Sequence, residues 1–306
     1  MVKKHHLDTL IENQGFGFRR LRLEGIDNEP VKRRYGPRMT RQETCLFHRD
    51  VADGDDYLNM LHTFICRAMD EKRAAPVVRF ADGEYAFYAN SLECNGLYRQ
   101  AESVAAIKKA MPRHIEAFKT LDRMGKLAPL VCLDNVQPDR KAFFPLFRKS
   151  KGEDGGVTFV EFLVANKIDL TGNNYVPFYV VYAYLTSKRF FEIVDRVKIC
   201  IISSECRMDL CRLWFAQRAS RPEITFTAIP DSYVATQWGA MKKDVLARVP
   251  SDTGLCLVGA GIGALLVCVD VALEFGIPTI DAGHVLNMIN DLGKKSIEPR
   301  LYTFYK

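Results

Sequence analysis

The C-terminal half of the chain alternates short apolar runs with longer segments of helical periodicity. Apolar runs rich in β-branched residues cover positions 197–202, 224–229 and 254–258. After each run, apolar residues recur every three or four positions, and two of these helical segments begin near Val234 and Ala264. Strands that alternate with helices in this way form parallel sheets with helices on both faces. The pattern therefore predicts an α/β fold with a mostly parallel sheet.

The first half of the chain is less regular. Residues 1–50 show no sustained periodicity and contain several glycines and prolines, which predicts an irregular N-terminal arm. The elements predicted beyond it are a helix over 57–69, strands over 77–80 and 127–133, and helices from Ser103 and near 114–123. We therefore expect an arm over 1–50 and a single domain over 51–306. Within that domain, the polar and basic segment 137–157 is expected to be a lid or an insertion.

The composition fits an ordinary globular protein. The chain has 306 residues, of which 48% are hydrophobic, and no run of eighteen apolar residues or apolar signal core is seen. We therefore expect a cytoplasmic protein without a membrane span. The nine cysteines show no metal-ligand spacing, and several lie inside apolar runs, which favours reduced, buried thiols.

The net charge of +6 is unevenly distributed, because basic residues crowd the first fifty positions. These residues are Arg19, Arg20, Arg22, Lys32, Arg33, Arg34, Arg38 and Arg41. Such a run could bind phosphates or nucleic acid. No recognition motif or aromatic interleaving accompanies it, so we favour a solvated arm and do not expect a nucleic-acid partner.

One predicted strand of the first half ends in an unusual group of charged residues. The strand leads into Arg-Phe-Ala-Asp-Gly-Glu at positions 79–84, where Gly83 breaks it. In open α/β sheets, ligands bind at the carboxyl ends of the strands. Asp82 and Glu84, joined through one flexible residue, suit a divalent cation that prefers oxygen ligands and brings phosphates with it. A solvated turn in which Arg79 pairs with Asp82 would account for the same residues without a ligand.

Two other strand ends carry groups suited to phosphate. Ser204 and Glu205 stand between a strand and a helix, where free backbone amides attract anions. The sequence from Gly259 through Ala264 fits the dinucleotide fingerprint G-x-G-x-x-A, with Gly259 and Gly261 as its first two glycines, and Asp281 follows at the end of the next strand, where a ribose-binding acid is expected. Taken alone, this predicts an NAD or S-adenosylmethionine site. The same glycines would also let the loop approach another phosphate or let the helix pack tightly.

Both ends of the predicted domain together resemble a known enzyme family. Arg-Phe-Ala-Asp-Gly-Glu at 79–84, Gly-Ala-Gly at 259–261 and Gly-Ile-Pro-Thr-Ile-Asp-Ala-Gly-His at 276–284 are similar to the GT-D-type glycosyltransferases. The pattern of that family is Arg-Phe/Tyr-Gly-Asp-Gly-Glu with a closing Ile-Asp-Ile-Gly-His. Ala81 stands where the family usually has Gly, and Ala282 where it usually has Ile. The resemblance implies a single Rossmann-like domain that transfers a sugar from a nucleotide-sugar donor.

The resemblance also implies roles for individual residues. The expected catalytic residues are Asp82, Glu84 and His284, with Asp82 and Glu84 also holding Mn²⁺ or Mg²⁺. The expected donor-binding residues are Arg79, Gly83, Ser204, Glu205, Gly259, Gly261 and Asp281. Glu84 could instead be the general base that deprotonates the acceptor hydroxyl, and Arg79 could either neutralise the diphosphate or orient the carboxylates. If these roles are right, Asp82 and Glu84 should lie across one cleft from His284.

The expected function is therefore a metal-dependent transfer of a sugar from a uridine diphosphate sugar to a hydroxyl of a glycan or glycoconjugate. Two alternatives stay open. An NAD- or S-adenosylmethionine-dependent enzyme would use Gly259, Gly261 and Asp281 as its cofactor site. A non-catalytic nucleotide- or polyanion-binding protein would use the basic arm.

Overall fold

The fold is organised around a six-stranded parallel sheet. The structure, a computed structural model, describes residues 4–21, 43–96, 98–132, 155–216 and 219–290. The sheet consists of β3 (Ala75–Phe80), β4 (Lys126–Pro129), β5 (Lys198–Ser203), β6 (Ile224–Ala228), β7 (Thr253–Gly259) and β8 (Pro278–Asp281). Their order across the sheet is β4-β3-β8-β7-β5-β6, and every neighbouring pair is parallel. The predicted α/β fold with a parallel sheet is confirmed.

Helices cover the sheet. The helices of the domain are α2 (Gly54–Asp70), α3 (Asp82–Tyr88), α4 (Val104–Met124), α5 (Gly155–Ala165), α6 (Phe178–Leu185), α7 (Lys188–Val194), α8 (Met208–Ala216), α9 (Val234–Leu246), α10 (Ala264–Phe275) and α11 (Gly283–Asn290). Every residue of β3 is buried, and successive side chains of a strand point to opposite faces. Both faces of the sheet are therefore covered at β3, as expected for parallel sheets.

The N-terminal segment differs from the predicted irregular arm. Its described part forms helix α1 (Lys4–Gln14) and two antiparallel strands, β1 (Phe16–Leu21) and β2 (Glu43–His48). This ribbon is docked on the domain, because the hydroxyl of Tyr175 donates to the Leu46 carbonyl at 2.6 Å. Aromatic residues of β1 and β2 are buried in that contact, and their tertiary partners lie too far along the chain for periodicity to indicate them.

The two predicted basic segments, the N-terminal arm and the insertion 137–157, are each described only in part. The guanidinium of Arg19 donates to the carbonyls of Val51 and Ala52, so this residue supports the turn before α2. Arg20 is an exposed residue of β1, the basic residues from Arg22 to Arg41 lie outside the described residues, and so does most of the predicted insertion 137–157. In the part of the chain that the structure describes, no helix is long and apolar enough to cross a membrane.

Helix α4 is continuous where the sequence predicted two helices. Pro112 lies inside the helix and removes one backbone hydrogen bond. The helix remains continuous because burial of the face that includes Ile107 and Phe118 stabilises it. His114 on the same face is fully buried, with Nδ1 3.0 Å from the Tyr88 hydroxyl and Nε2 2.8 Å from the Ala235 carbonyl. Burial lowers the pKa of His114 to about 4, so this imidazole is neutral and ties α3 to α9.

The predicted state of the cysteines agrees with the structure. All nine lie among the described residues, and none forms a disulfide. Cys132, Cys200, Cys256 and Cys268 are buried, as their places within apolar runs predicted.

Candidate active site

A single large cleft opens at the carboxyl edge of the sheet. Its volume is about 980 Å³, and its walls come from the segments that follow all six parallel strands. Segments after β3, β7 and β8 line it, together with residues of 91–96, 98–100 and 230–234. Parallel strands place their carboxyl ends at one edge, so residues far apart in the chain meet here.

The cleft brings together the three residues predicted to be catalytic. Asp82, Glu84 and His284 all line it, which confirms that Asp82 and Glu84 share one cleft with His284. The predicted donor-binding residues Arg79, Gly83, Ser204, Gly259, Gly261 and Asp281 also line it. Glu205 does not, because it is exposed beyond the rim.

The position of Glu205 follows from a shorter helix than the sequence predicted. The Asn290 side chain accepts a hydrogen bond from the Arg207 amide at 2.8 Å and donates to the Glu205 carbonyl at 3.0 Å. These bonds hold the segment outside the helix, so α8 begins only at Met208. Ser204 remains at the cleft, but the predicted helix start at Ser204 and Glu205 was wrong.

Glu84 closes the first turn of α3. Its carboxylate accepts a hydrogen bond from the Ala81 amide at 2.9 Å, which satisfies one of the free donors at the start of the helix. The helix is fixed to the sheet by Tyr85, whose hydroxyl lies 3.0 Å from the Phe80 carbonyl and 2.9 Å from that of Leu130. Glu84 is therefore held in place within the cleft.

The surroundings of Glu84 suit it to proton transfer. Burial raises its pKa to about 7, with a further increase from the Asp281 carboxylate, although the Ala81 amide and Arg79 act in the opposite direction. A carboxylate with a pKa near 7 is poised to accept a proton at neutral pH. A carboxylate at its ordinary pKa would be a weaker base.

Asp82 and Glu84 do not form a paired cage for a cation. They occupy positions two apart in the first turn of α3, and side chains at that spacing do not face each other in a helix. In the described ranges, no group of three or more His, Cys, Asp or Glu side chains could hold a metal ion. The exposed Asp82 carboxylate still offers a hard oxygen ligand, and a cation that arrives with phosphates needs few protein ligands.

Arg79 and Asp281 form a buried ion pair with each other. The Arg79 guanidinium donates from Nη2 to Oδ1 of Asp281 at 2.9 Å and from Nε to its carbonyl at 2.9 Å, and the Arg79 amide donates to Oδ2 at 3.2 Å. Both side chains are 7% exposed. Burial raises the pKa of Asp281 against the lowering effect of Arg79, while the carboxylate keeps the pKa of Arg79 raised in spite of burial. Asp281 is thus occupied within the protein and is not a free ribose ligand.

The turn that contains Gly259 and Gly261 is also occupied by the protein's own side chains. The Ile262 amide donates to Oε1 of Gln100 at 3.0 Å, so this amide is not available to a pyrophosphate. Gly261 has a φ of +53°, and a Cβ there would lie 2.7 Å from the Gln100 amide group. A Cβ on Gly259 would lie 3.0 Å from the Ser203 hydroxyl. Close packing and a left-handed turn therefore explain these glycines.

Among the cleft residues that the sequence did not predict, Arg99, Tyr98 and Tyr182 are the most notable. Arg99 stands at the rim, and within the described chain its guanidinium makes no hydrogen bond or ion pair, which leaves it able to meet an anion. Tyr98, beside it, receives a hydrogen bond from Asn287 at 2.7 Å. Tyr182 on α6 contacts His284, with its hydroxyl 3.2 Å from Nδ1. No motif marks these positions, although the four-residue spacing of Phe178 and Tyr182 places both on one face of α6.

The chain has structural neighbours among glycosyltransferases. One is a domain of unknown function 1792 described as having a distinct glycosyltransferase fold, at 14% identity and a TM-score of 0.48 over 77% of this chain and 79% of that one. Another is a glycosyltransferase from Streptococcus sanguinis, at 15% identity and a TM-score of 0.45 over 77% and 82%. A third, also of domain 1792, has 15% identity and a TM-score of 0.43 over 78% and 85%.

The first of these neighbours is described by its glycosyltransferase fold and the second as a glycosyltransferase, the class of enzyme that the sequence resembles. No family model matches the chain, and no curated protein matches it. Identities of 14–15% and TM-scores below 0.5 are too low to carry an activity from one protein to another. The function is therefore inferred from the cleft.

Proposed function

We propose that this protein is a glycosyltransferase that moves a sugar from a nucleotide sugar, a uridine diphosphate sugar, to a hydroxyl of a glycan or glycoconjugate. One observation carries the proposal. A single cleft at the carboxyl edge of the sheet combines a half-buried carboxyl of pKa about 7, Glu84, with an exposed carboxylate, Asp82, and with Arg99 and His284. The choice of uridine diphosphate is supported by the sequence resemblance alone.

These groups match the chemistry of sugar transfer. The bond between the sugar carbon and the diphosphate breaks, a bond to the acceptor oxygen forms, and the acceptor proton must go to a base. Glu84 supplies that base, since its environment favours proton uptake near neutral pH. The negative charge that develops on the departing diphosphate needs a cation and hydrogen-bond donors near it, and the Arg99 guanidinium and the His284 imidazole, which line the cleft, would supply them.

A divalent cation completes this arrangement. Asp82 is the residue that would hold Mn²⁺ or Mg²⁺, together with oxygens of the diphosphate, because Glu84, two positions on in the first turn of α3, does not face the same way. When bound, the ion supplies charge neutralisation for the leaving group.

The two alternative functions find no such support. In a nicotinamide or S-adenosylmethionine site, Asp281 and the Ile262 amide would contact the cofactor, but Arg79 and Gln100 already occupy them. For a polyanion-binding arm, the Arg19 guanidinium is engaged with backbone carbonyls, and the basic residues from Arg22 to Arg41 lie outside the described residues.

A thermal-shift experiment tests the proposal. UDP together with Mn²⁺ should raise the melting temperature of the wild type by about 5 °C at a ligand concentration near one hundred times Kd. Asp82→Asn should abolish this shift, because it removes the charged ligand of the cation. Asp55→Asn is the matched control, since Asp55 is also an exposed acid in the first turn of a helix, and it should retain the shift. A shift with NAD or S-adenosylmethionine in the absence of metal, and none with UDP, would reject the proposal.

A further inference from the structure

Arg79 lines the cleft as a cation, but its contacts are those of a residue that supports the structure. Its guanidinium and its backbone amide make three hydrogen bonds to Asp281 on the neighbouring strand β8. The space for the guanidinium is created by Gly283, which has a φ of +27° and whose Cβ, if present, would lie 2.3 Å from Nη2. The charged plane of Arg79 is therefore fixed by the fold before any ligand arrives.

An aromatic ring rests on this plane. The Cζ atom of Arg79 lies 4.3 Å from the ring centre of Tyr182 and 5.2 Å from that of Phe178. A guanidinium at this distance attracts an aromatic face, and the attraction is strongest where water is excluded. Tyr182 is buried, so its ring has one well-defined position against Arg79.

The Tyr182 hydroxyl is in turn directed at His284. Its oxygen lies 3.2 Å from Nδ1 of the imidazole, at the start of α11. A neutral imidazole carries its proton on one nitrogen, and the partner of the other nitrogen decides which one. If the hydroxyl donates to Nδ1, the proton of His284 stays on Nε2.

We propose that Tyr182 is a positioning residue that fixes His284 in the tautomer with its proton on Nε2, and that Arg79 with Asp281 forms the buried support that holds Tyr182. His284 then presents an N–H donor to an oxygen of the donor's diphosphate. This last step rests on the proposed function, whereas the choice of tautomer rests on the contact between the Tyr182 hydroxyl and Nδ1 of His284.

Nitrogen-15 NMR of the histidine side chains tests the tautomer directly. His284 can be assigned by the loss of its signals in His284→Gln. Its wild-type spectrum should show the proton on Nε2, and Tyr182→Phe, which keeps the ring on Arg79, should shift the population toward the other tautomer. A wild-type imidazole with the proton on Nδ1 would overturn the proposal, and so would a spectrum that Tyr182→Phe leaves unchanged.

The chain offers a close control for this variant. Tyr184 lies on the same helix, and its hydroxyl is 3.3 Å from Nδ1 of His62, away from the cleft. Tyr184→Phe removes the same kind of contact and should leave the His284 spectrum as in the wild type. An equal change in both variants would mean that α6 has moved as a whole, which contradicts a specific effect of Tyr182.

Binding of UDP separates this inference from the proposed function. With Mn²⁺ present, Tyr182→Phe should weaken UDP binding about 5-fold, since misorienting one donor to a charged group costs on the order of one hydrogen bond. Unchanged affinity would remove the diphosphate contact from the proposal. Failure of the wild type to bind UDP at all would reject the proposed function, while the tautomer result would still decide the role of Tyr182.

Discussion

Glu84→Gln is expected to lower the rate of sugar transfer by about 10²- to 10⁴-fold, the usual contribution of a positioned general base. The glutamine amide cannot take up the acceptor proton, but its oxygen can still accept the hydrogen bond from the Ala81 amide. The variant should therefore remain folded, and its affinity for the nucleotide should change little. The rate constant at saturating donor and acceptor is the quantity to measure.

Glu116→Gln is the control for this loss. Glu116 is an exposed acid on α4 that contacts only a surface lysine, Lys119, at 2.7 Å in the described structure. Its neutralisation should leave the transfer rate unchanged. If Glu84→Gln keeps more than about a tenth of the wild-type rate, Glu84 is not the base.

Asp281→Asn is expected to lower the free energy of unfolding by about 3–5 kcal/mol, because it leaves the charge of Arg79 buried without its partner. Both side chains are only 7% exposed, so water cannot replace the lost carboxylate. Urea unfolding followed by circular dichroism measures this change. The double variant Arg79→Met/Asp281→Leu should recover much of the loss, since it removes both buried charges.

An exposed ion pair provides the comparison. Arg196 and Asp70 lie 3.2 Å apart with side chains 53% and 64% exposed. Asp70→Asn should cost less than about 1 kcal/mol, the usual range for surface pairs. Equal losses for Asp70→Asn and Asp281→Asn would show that burial of the Arg79 pair is not decisive.

The outline of the cleft could be predicted from the sequence, because each contributing motif is local. A β-branched run that ends in Asp82 or Asp281 marks the end of a strand, and parallel strands bring their ends to one edge. This rule was sufficient to place Asp82, Glu84 and His284 in one cleft. It requires only that the sheet be parallel, which the alternation of strands and helices predicted.

The roles of several residues could not be predicted, because they depend on which strands are neighbours. Arg79 and Asp281 are 202 positions apart and meet only because β3 and β8 pair in the sheet. Asp281 at a strand end is typical of a ribose-binding acid, and nothing local reveals that Arg79 already holds it. The fingerprint at Gly259 and Gly261 was misleading for the same reason, since the side chain that fills the turn comes from Gln100.

The first turn of α3 shows how local geometry alters a motif. Two carboxylates separated by one glycine were expected to face a shared cation. Once Asp82 begins a helix, the two side chains diverge, and Glu84 folds back onto the Ala81 amide. The motif thus leaves one carboxylate exposed and the other half-buried, a division of roles that spacing alone does not indicate.

Release of the nucleoside diphosphate from a panel of nucleotide sugars tests the central claim most directly. The panel should include uridine, guanosine and adenosine diphosphate sugars, each assayed with Mn²⁺ and with a chelator, in the presence of a simple glycan mixture. Our account predicts release of UDP from at least one uridine diphosphate sugar, with Mn²⁺ required. Release from no donor under any of these conditions would contradict it.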